Sequence, residues 1–363
     1  MSRLLFLVVL ASALVGPLAA AETAPTAQAI RAAVVKALPL IRKGARGHMA
    51  HRSCFACHHQ AIPILAMTTA AAHGISVDRQ EIDTHLRFIA KFLDGHRSEY
   101  LKGRGQGGQV DTAGYALWTL EMGGWKPDAT TAAVSAYLVQ RDRGHGYWRA
   151  SSKRPPSEAS DFTACYLAVR TLQVFGTPAQ KTRITQRIST VRDWLLKTPA
   201  HDTEDRVFRL WALERAGADA KDVRAAAREL IRSQRPDGGW AQLDTLSSDA
   251  YATGTALVAL HEAGGLATTD LVYRKGLRFL LTKQLPDGTW HVHSRSQPFQ
   301  AYFESGFPHG KDQFISLAAS GWATTALALA LPRVHTTAGG RAGDLSKERP
   351  RAARRAIPAR MIP

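Results

Sequence analysis

Cys54-Phe55-Ala56-Cys57-His58 spells C-x-x-C-H. Two thiols at that spacing can add across the vinyl groups of a haem, and the adjacent histidine then lies close enough to ligate the iron. The competing readings are a C-x-x-C disulfide motif, half of a zinc site, or chance. The remaining cysteine, Cys165, stands alone, so a four-thiol zinc site is excluded. A thioredoxin-like motif needs a βαβ context, and the flanking sequence is helical in period. Covalent haem c, one per chain, with Cys54, Cys57 and His58 as its attachment and proximal residues, is the reading that fits best.

The N-terminus supports it. Met1-Ser2-Arg3 is a short basic start, Leu4–Val15 is continuously apolar, and Ala19-Ala20-Ala21 offers small residues for cleavage before Glu22. Residues 1–21 therefore read as a signal peptide, and the mature protein as periplasmic or secreted. No later run is apolar for long enough to span a bilayer, so no transmembrane anchor is expected. The formal net charge is +17. Residues 336–363 carry seven basic residues against Asp344 and Glu348 in a Pro/Gly/Ala-rich stretch without apolar period, which reads as a disordered basic tail. Aromatic and basic residues are not interleaved, so no nucleic-acid partner is expected. The implied partners are a redox protein and a small apolar ligand.

Residues 22–335 must position the motif, and they repeat. An amphipathic segment ending in Gln234 leads through Pro236-Asp237-Gly238-Gly239 to Trp240; a second, Lys275–Gln284, leads through Pro286-Asp287-Gly288 to Trp290. Each is followed by a more apolar helix, near Asp249–Ala263 and Phe314–Leu331. A weaker copy runs from Gln140 to Trp148. Degenerate copies pair Asp193-Trp194-Leu195-Leu196 with a helix over Asp205–Arg215, Leu86–Leu93 with Asp111–Met122, and Ile30–Ile41 with the helix after the haem motif. About six helix pairs at 40–50-residue spacing signal a stacked or closed array. The second helix of each pair is the more apolar, which suits an inner ring inside an amphipathic outer one.

The Lys275–Trp290 pattern resembles the QW repeat of squalene–hopene cyclases and the wider terpenoid-cyclase and prenyltransferase toroids. It also resembles exported bacterial chains that join such a toroid to a Cys-x-x-Cys-His motif and carry a segment like Phe303–Gly310. The resemblance implies an all-α (α/α)6 toroid with an apolar cavity. It implies too that Gln234, Trp240, Gln284 and Trp290 tie outer helices to the following turns. Cyclase chemistry transfers poorly. The family's Asp-x-Asp-Asp acid is here Asp202-Thr203-Glu204-Asp205, with glutamate at the central position, and Arg206 and Arg209 nearby would oppose a cation. An acidic helix N-terminus is the plainer account. The Asp-x-Cys zinc pair of protein prenyltransferases is also missing, since Asp161 and Cys165 are four apart, and Cys165 reads as a buried apolar residue.

Counting back from the glycines that stop the inner helices aligns Cys57-His58-His59 with Asp161 and Asp249. Pro63 suits a first helical turn, which puts Cys54–Gln60 in the loop before it and the haem in the barrel mouth. Tyr115, Trp118, Tyr166, Phe208, Trp211, Tyr251 and Trp322 either line the cavity or pack as core. His309 is the favoured sixth ligand and second metal residue, ahead of His145, His291, His293, Met67 and Met122. It lies in the long insertion Gln297–Gln313, which reads as a lid. The function expected is a redox one, electron transfer or oxidation of a small apolar molecule. A haem-free terpenoid-cyclase-like enzyme and a haem-based sensor are the alternatives.

Overall fold

The computed structural model describes residues 24–298 and 300–334. The signal peptide, residues 1–21, and the basic tail, residues 336–363, lie outside the described residues. Thirteen α-helices follow one another: α1 Ala27–His51, α2 Ile62–Ala72, α3 Arg79–Gly95, α4 Arg97–Leu101, α5 Gln109–Met122, α6 Ala129–Gln140, α7 Asp161–Phe175, α8 Lys181–Lys197, α9 Thr203–Arg215, α10 Ala220–Arg232, α11 Ala250–Glu262, α12 Leu271–Lys283 and α13 Gln313–Leu329. No strand occurs among the described residues beyond two isolated bridges. No described helix is long and apolar enough to cross a membrane.

Side-chain pattern sorts the helices into two rings. α10 buries Ala226, Ala227 and Leu230 and turns Arg224 and Arg228 outward. In α11 every residue from Ala250 to Leu260 is buried, because it has neighbours on all sides. The inner helices pack in the order α2, α5, α7, α9, α11, α13, and α13 returns to α2, so the ring is closed. The outer ring is α1, α3, α6, α8, α10 and α12. Six pairs result, with α4 as an extra turn. Caps set the inner starts: Ser160, Asp202 and Asp249 each accept a backbone N–H of the helix that follows.

The QW residues brace the fold as expected. Trp240 Nε1 donates to Leu230 O, Trp290 Nε1 to Leu280 O and Trp148 Nε1 to Leu138 O, each at 2.8 Å. Each bond satisfies a carbonyl in the last turn of an outer helix. The glutamines do more than expected, for they join consecutive outer helices. Gln234 Nε2 donates to Gly238 O and to Val272 O on α12, both at 2.9 Å. Gln284 Nε2 donates to Gly288 O and to Ala33 O on α1, also at 2.9 Å, and so seals the sixth pair to the first. Gly238 and Gly288 have positive φ and sit against the Lys275 and Lys36 carbonyls, where a Cβ would stand 2.6 and 2.5 Å from oxygen. In the third pair Gln140 is exposed. Arg187 of α8 takes its place, donating to Arg141 O and lying over the Trp148 ring.

Two boundaries differ from expectation. α1 continues to His51 because its buried stripe runs on through Gly44, Ala45 and His48. Cys57–Ala61 is a π-helical turn continuous with α2 rather than a loop. Gln60 fixes that turn by accepting the Ala56 N–H at 2.9 Å.

Candidate functional site

The N-terminal ends of the inner helices share one rim, and hydrogen bonds run around it. Ser160 Oγ donates to Asp205, Thr163 Oγ1 and Tyr251 OH converge on Glu204, Gln242 Nε2 donates to Asp249, and Arg295 Nε donates to Gln242. Ser296 Oγ donates to Pro155 O, so the segment before the lid crosses to the α6–α7 loop.

Cys54, Cys57 and His58 lie on this rim, at the start of the first inner helix. Both thiols are free. Cys57 is buried and its Sγ donates to Glu158 Oε1 at 2.8 Å; Glu158 is ion-paired with Arg154. Burial, then the Glu158 charge, pushes the Cys57 thiol well up. His58 is held neutral: burial, with His48 and Arg154 nearby, pulls it down to about 3. Its ring meets His59 and Phe314 edge-on, at 4.8 and 5.2 Å. Sequence reasoning missed Glu158 and Arg154. They belong to an aperiodic loop, and nothing in the pattern points them toward residue 57.

His59 is fully buried and neither ring nitrogen has a hydrogen-bond partner; it stacks on His48, whose Nδ1 is also unpartnered while its Nε2 donates to Cys54 O at 2.8 Å. Burial lowers both histidines. The lid closes over these rings as expected: Phe303 stacks on His51 and lies near His48, His59 and Phe314. It fits because Gly47 leaves room, since a Cβ there would stand 1.8 Å from Ser305 O.

These residues fit haem c in kind. The thiols are not paired with each other, the histidine is in the neutral form that iron requires, and buried imidazole nitrogens beside the motif lack partners that a carboxylate-bearing group would supply. His309 is placed elsewhere on the rim. Its Nε2 is 2.8 Å from Thr289 Oγ1 and its ring stacks on His291 at 4.6 Å. Met67 is buried within α2, and His145 is exposed, beside Tyr147.

The aromatics form a packed axis rather than a cavity wall. Trp118, Trp211 and Trp322 lie 5.8–6.5 Å apart by ring centroid, with Tyr115, Tyr166 and Phe208 around them. Arg170 closes the far end, over Trp118 and ion-paired with Glu121 at 2.7 Å.

The acidic string separates into two roles. Asp202 caps α9, accepting Asp205 N–H at 2.9 Å, as the plain account expects. Glu204 instead turns inward. It is 4% exposed, and desolvation, with Asp202 adding to it, pushes its carboxyl up to about 8. Pro156, Gln242, Tyr251 and Thr255 close around it and leave no room for a water molecule. Arg206 and Arg209 face α10, 3.5 and 3.2 Å from Glu229, so they do not oppose charge in the interior. Helical period carries that signal: positions 206 and 209 share one face, while Val207, Phe208 and Trp211 share the buried one.

No family model matches the chain. Over 83 residues it is 35% identical to lanosterol synthase ERG7 of Saccharomyces cerevisiae, a match covering 23% of this chain and 11% of the yeast enzyme's length. Among solved structures it is similar to the type II terpene cyclase MstE from Scytonema in complex with merosterolic acid A (13% identity, TM-score 0.54, covering 84% of this chain and 97% of that one). It is similar also to a wild-type glycosidase (12% identity, TM-score 0.51, covering 82% and 98%). The chain thus has the α/α toroid fold that these terpene cyclases and glycosidases share.

Proposed function

We propose that the chain holds haem c at the mouth of its toroid, bonded through Cys54 and Cys57 with His58 as proximal ligand, and that it transfers electrons in the periplasm or outside the cell. The observation that carries this reading is the pair of free thiols and the neutral His58, set together on the rim of an inner helix. When bound, the group supplies a one-electron couple whose potential follows from axial ligand and burial. The chain's residues do the rest. Burial keeps His58 unprotonated, Glu158 and Arg154 stand against Cys57, and Phe303 and Phe314 shield the imidazoles from water. The basic surface suits an acidic redox partner. The packed axis favours electron transfer over oxidation of an apolar molecule inside the barrel.

Replacing His58 with Ala is expected to change the Soret and visible spectrum sharply, and replacing His59 to change it little. His309 as sixth ligand would have to leave Thr289 and His291, so the reduced protein is expected to bind carbon monoxide without His309→Ala. Equal spectral effects of the His58 and His59 substitutions would refute the assignment.

One observation favours a second reading, a haem-free cyclase-like enzyme. Glu204 keeps its proton to about pH 8 on the rim of a toroid like that of the type II terpene cyclases, and the comparisons speak to this reading rather than to haem. The space at Glu204 does not admit even a water molecule, against the roughly 300–1,000 Å³ of typical ligand sites, so a polyprene would need the rim loops to open. Turnover of a polyprene by protein lacking haem, abolished by Glu204→Gln, would establish it in place of the first.

A further inference from the structure

We propose a second metal site, for a divalent cation of the zinc and copper class, built from His291, His293 and Asp312. His291 and His293 lie just after the Trp290 brace, and both rings turn onto Asp312, with their centroids 4.5 Å apart. Asp312 comes from the turn that starts α13. Its Oδ2 lies 2.8 Å from His291 Nε2 and 3.0 Å from His293 Nδ1, and the three donor atoms all lie within 4.8 Å of one another. A tetrahedral zinc ion with bonds of about 2.0–2.2 Å spaces its ligand atoms by about 3.4 Å, so each histidine need part from the Asp312 carboxylate by only about 0.5 Å to admit one. Two imidazoles and a carboxylate are the donor set this class prefers, whereas calcium or magnesium would call for more oxygen.

The surroundings already orient the donors. Ser294 N–H donates to the other carboxylate oxygen, Asp312 Oδ1, at 2.8 Å, which leaves Oδ2 for the histidines. His309 stacks on His291 with an interplanar angle of 6° and is itself fixed by Thr289. Supporting contacts of this kind preset ligand geometry in metal sites. The His293 side chain is 87% exposed, which gives an ion a path in and leaves a coordination position open to water. A bound ion would fasten the sixth repeat's turn to the first residues of α13, at the base of the lid. The inference stands independently of haem, because it uses none of the residues at Cys54–His58.

The test is calorimetric titration of the mature protein with zinc chloride, together with four variants. One ion per chain is expected in wild type, in the distal control His145→Ala and in Glu158→Gln. Affinity should fall at least tenfold in His293→Ala, whose exposure makes a folding defect an unsuitable explanation, and in Asp312→Asn. Copper bound to wild type should show two imidazole nitrogens by electron paramagnetic resonance, and one in His293→Ala. Absence of binding in wild type would overturn the proposal. So would binding that survives His293→Ala but disappears in Glu158→Gln, which would place the ion on Cys57, His58 and Glu158.

Discussion

Trp290→Ala is expected to lower the unfolding free energy by roughly 3–5 kcal/mol, with Trp240→Ala close behind. Both indoles are buried, and each replacement leaves a cavity the size of a ring system beside a helix end. Each also removes the indole N–H bond to Leu280 O or Leu230 O, and Leu230 O keeps only the Ser233 hydroxyl among its side-chain donors. Trp290 matters more because its turn carries Gln284, whose bond to Ala33 O closes the ring. Gln284→Ala alone removes two hydrogen bonds and should cost on the order of 1–2 kcal/mol. Denaturant midpoints would measure all three. Losses below about 1 kcal/mol at both tryptophans would contradict the brace.

The second large effect concerns pH. The Glu204 carboxyl sits near the usual glutamate value of about 4.3 in the unfolded chain and is pushed up to about 8 in the folded one. Between those values the native state binds the extra proton, so this group's contribution is fully present at low pH and is lost as pH rises through that window. The loss amounts to a few kcal/mol by pH 8. Glu204→Gln keeps the shape and the contacts to Thr163 and Tyr251 without a titrating proton. The variant is therefore expected to be relatively more stable than wild type at pH 8 than at pH 5. Denaturation curves at the two values check this, and parallel pH profiles would contradict it.

Much of the architecture can be read from the chain because its last two repeats carry the full pattern and set the spacing for the weaker ones. A glutamine, a Pro-Asp-Gly turn and a tryptophan fix the end of an outer helix, and an aspartate or serine cap fixes the start of the inner one. The third repeat hides its substitution, since Arg187 does from a neighbouring helix what Gln140 would do from its own. α1 runs past Ile41 to His51 because Gly44, Ala45 and His48, which carry little apolar signal, continue its buried face. The chemistry at residues 54–58 is legible as composition and spacing. Its environment is not, since Glu158 and Arg154 come from an aperiodic loop about a hundred residues away. Glu204 shows the reverse case. Read as a string, it belongs to an acidic helix start; only the neighbours contributed by α7 and α11 make it a buried acid.

The central claim is the covalent haem, and intact mass with a pyridine haemochrome spectrum tests it most directly, on protein made in a host competent for cytochrome c maturation. The account expects the mature polypeptide plus one haem, a c-type haemochrome that survives denaturation, weaker retention in Cys54→Ser or Cys57→Ser, and none in the double variant. A mass equal to the bare polypeptide from the same host would contradict it.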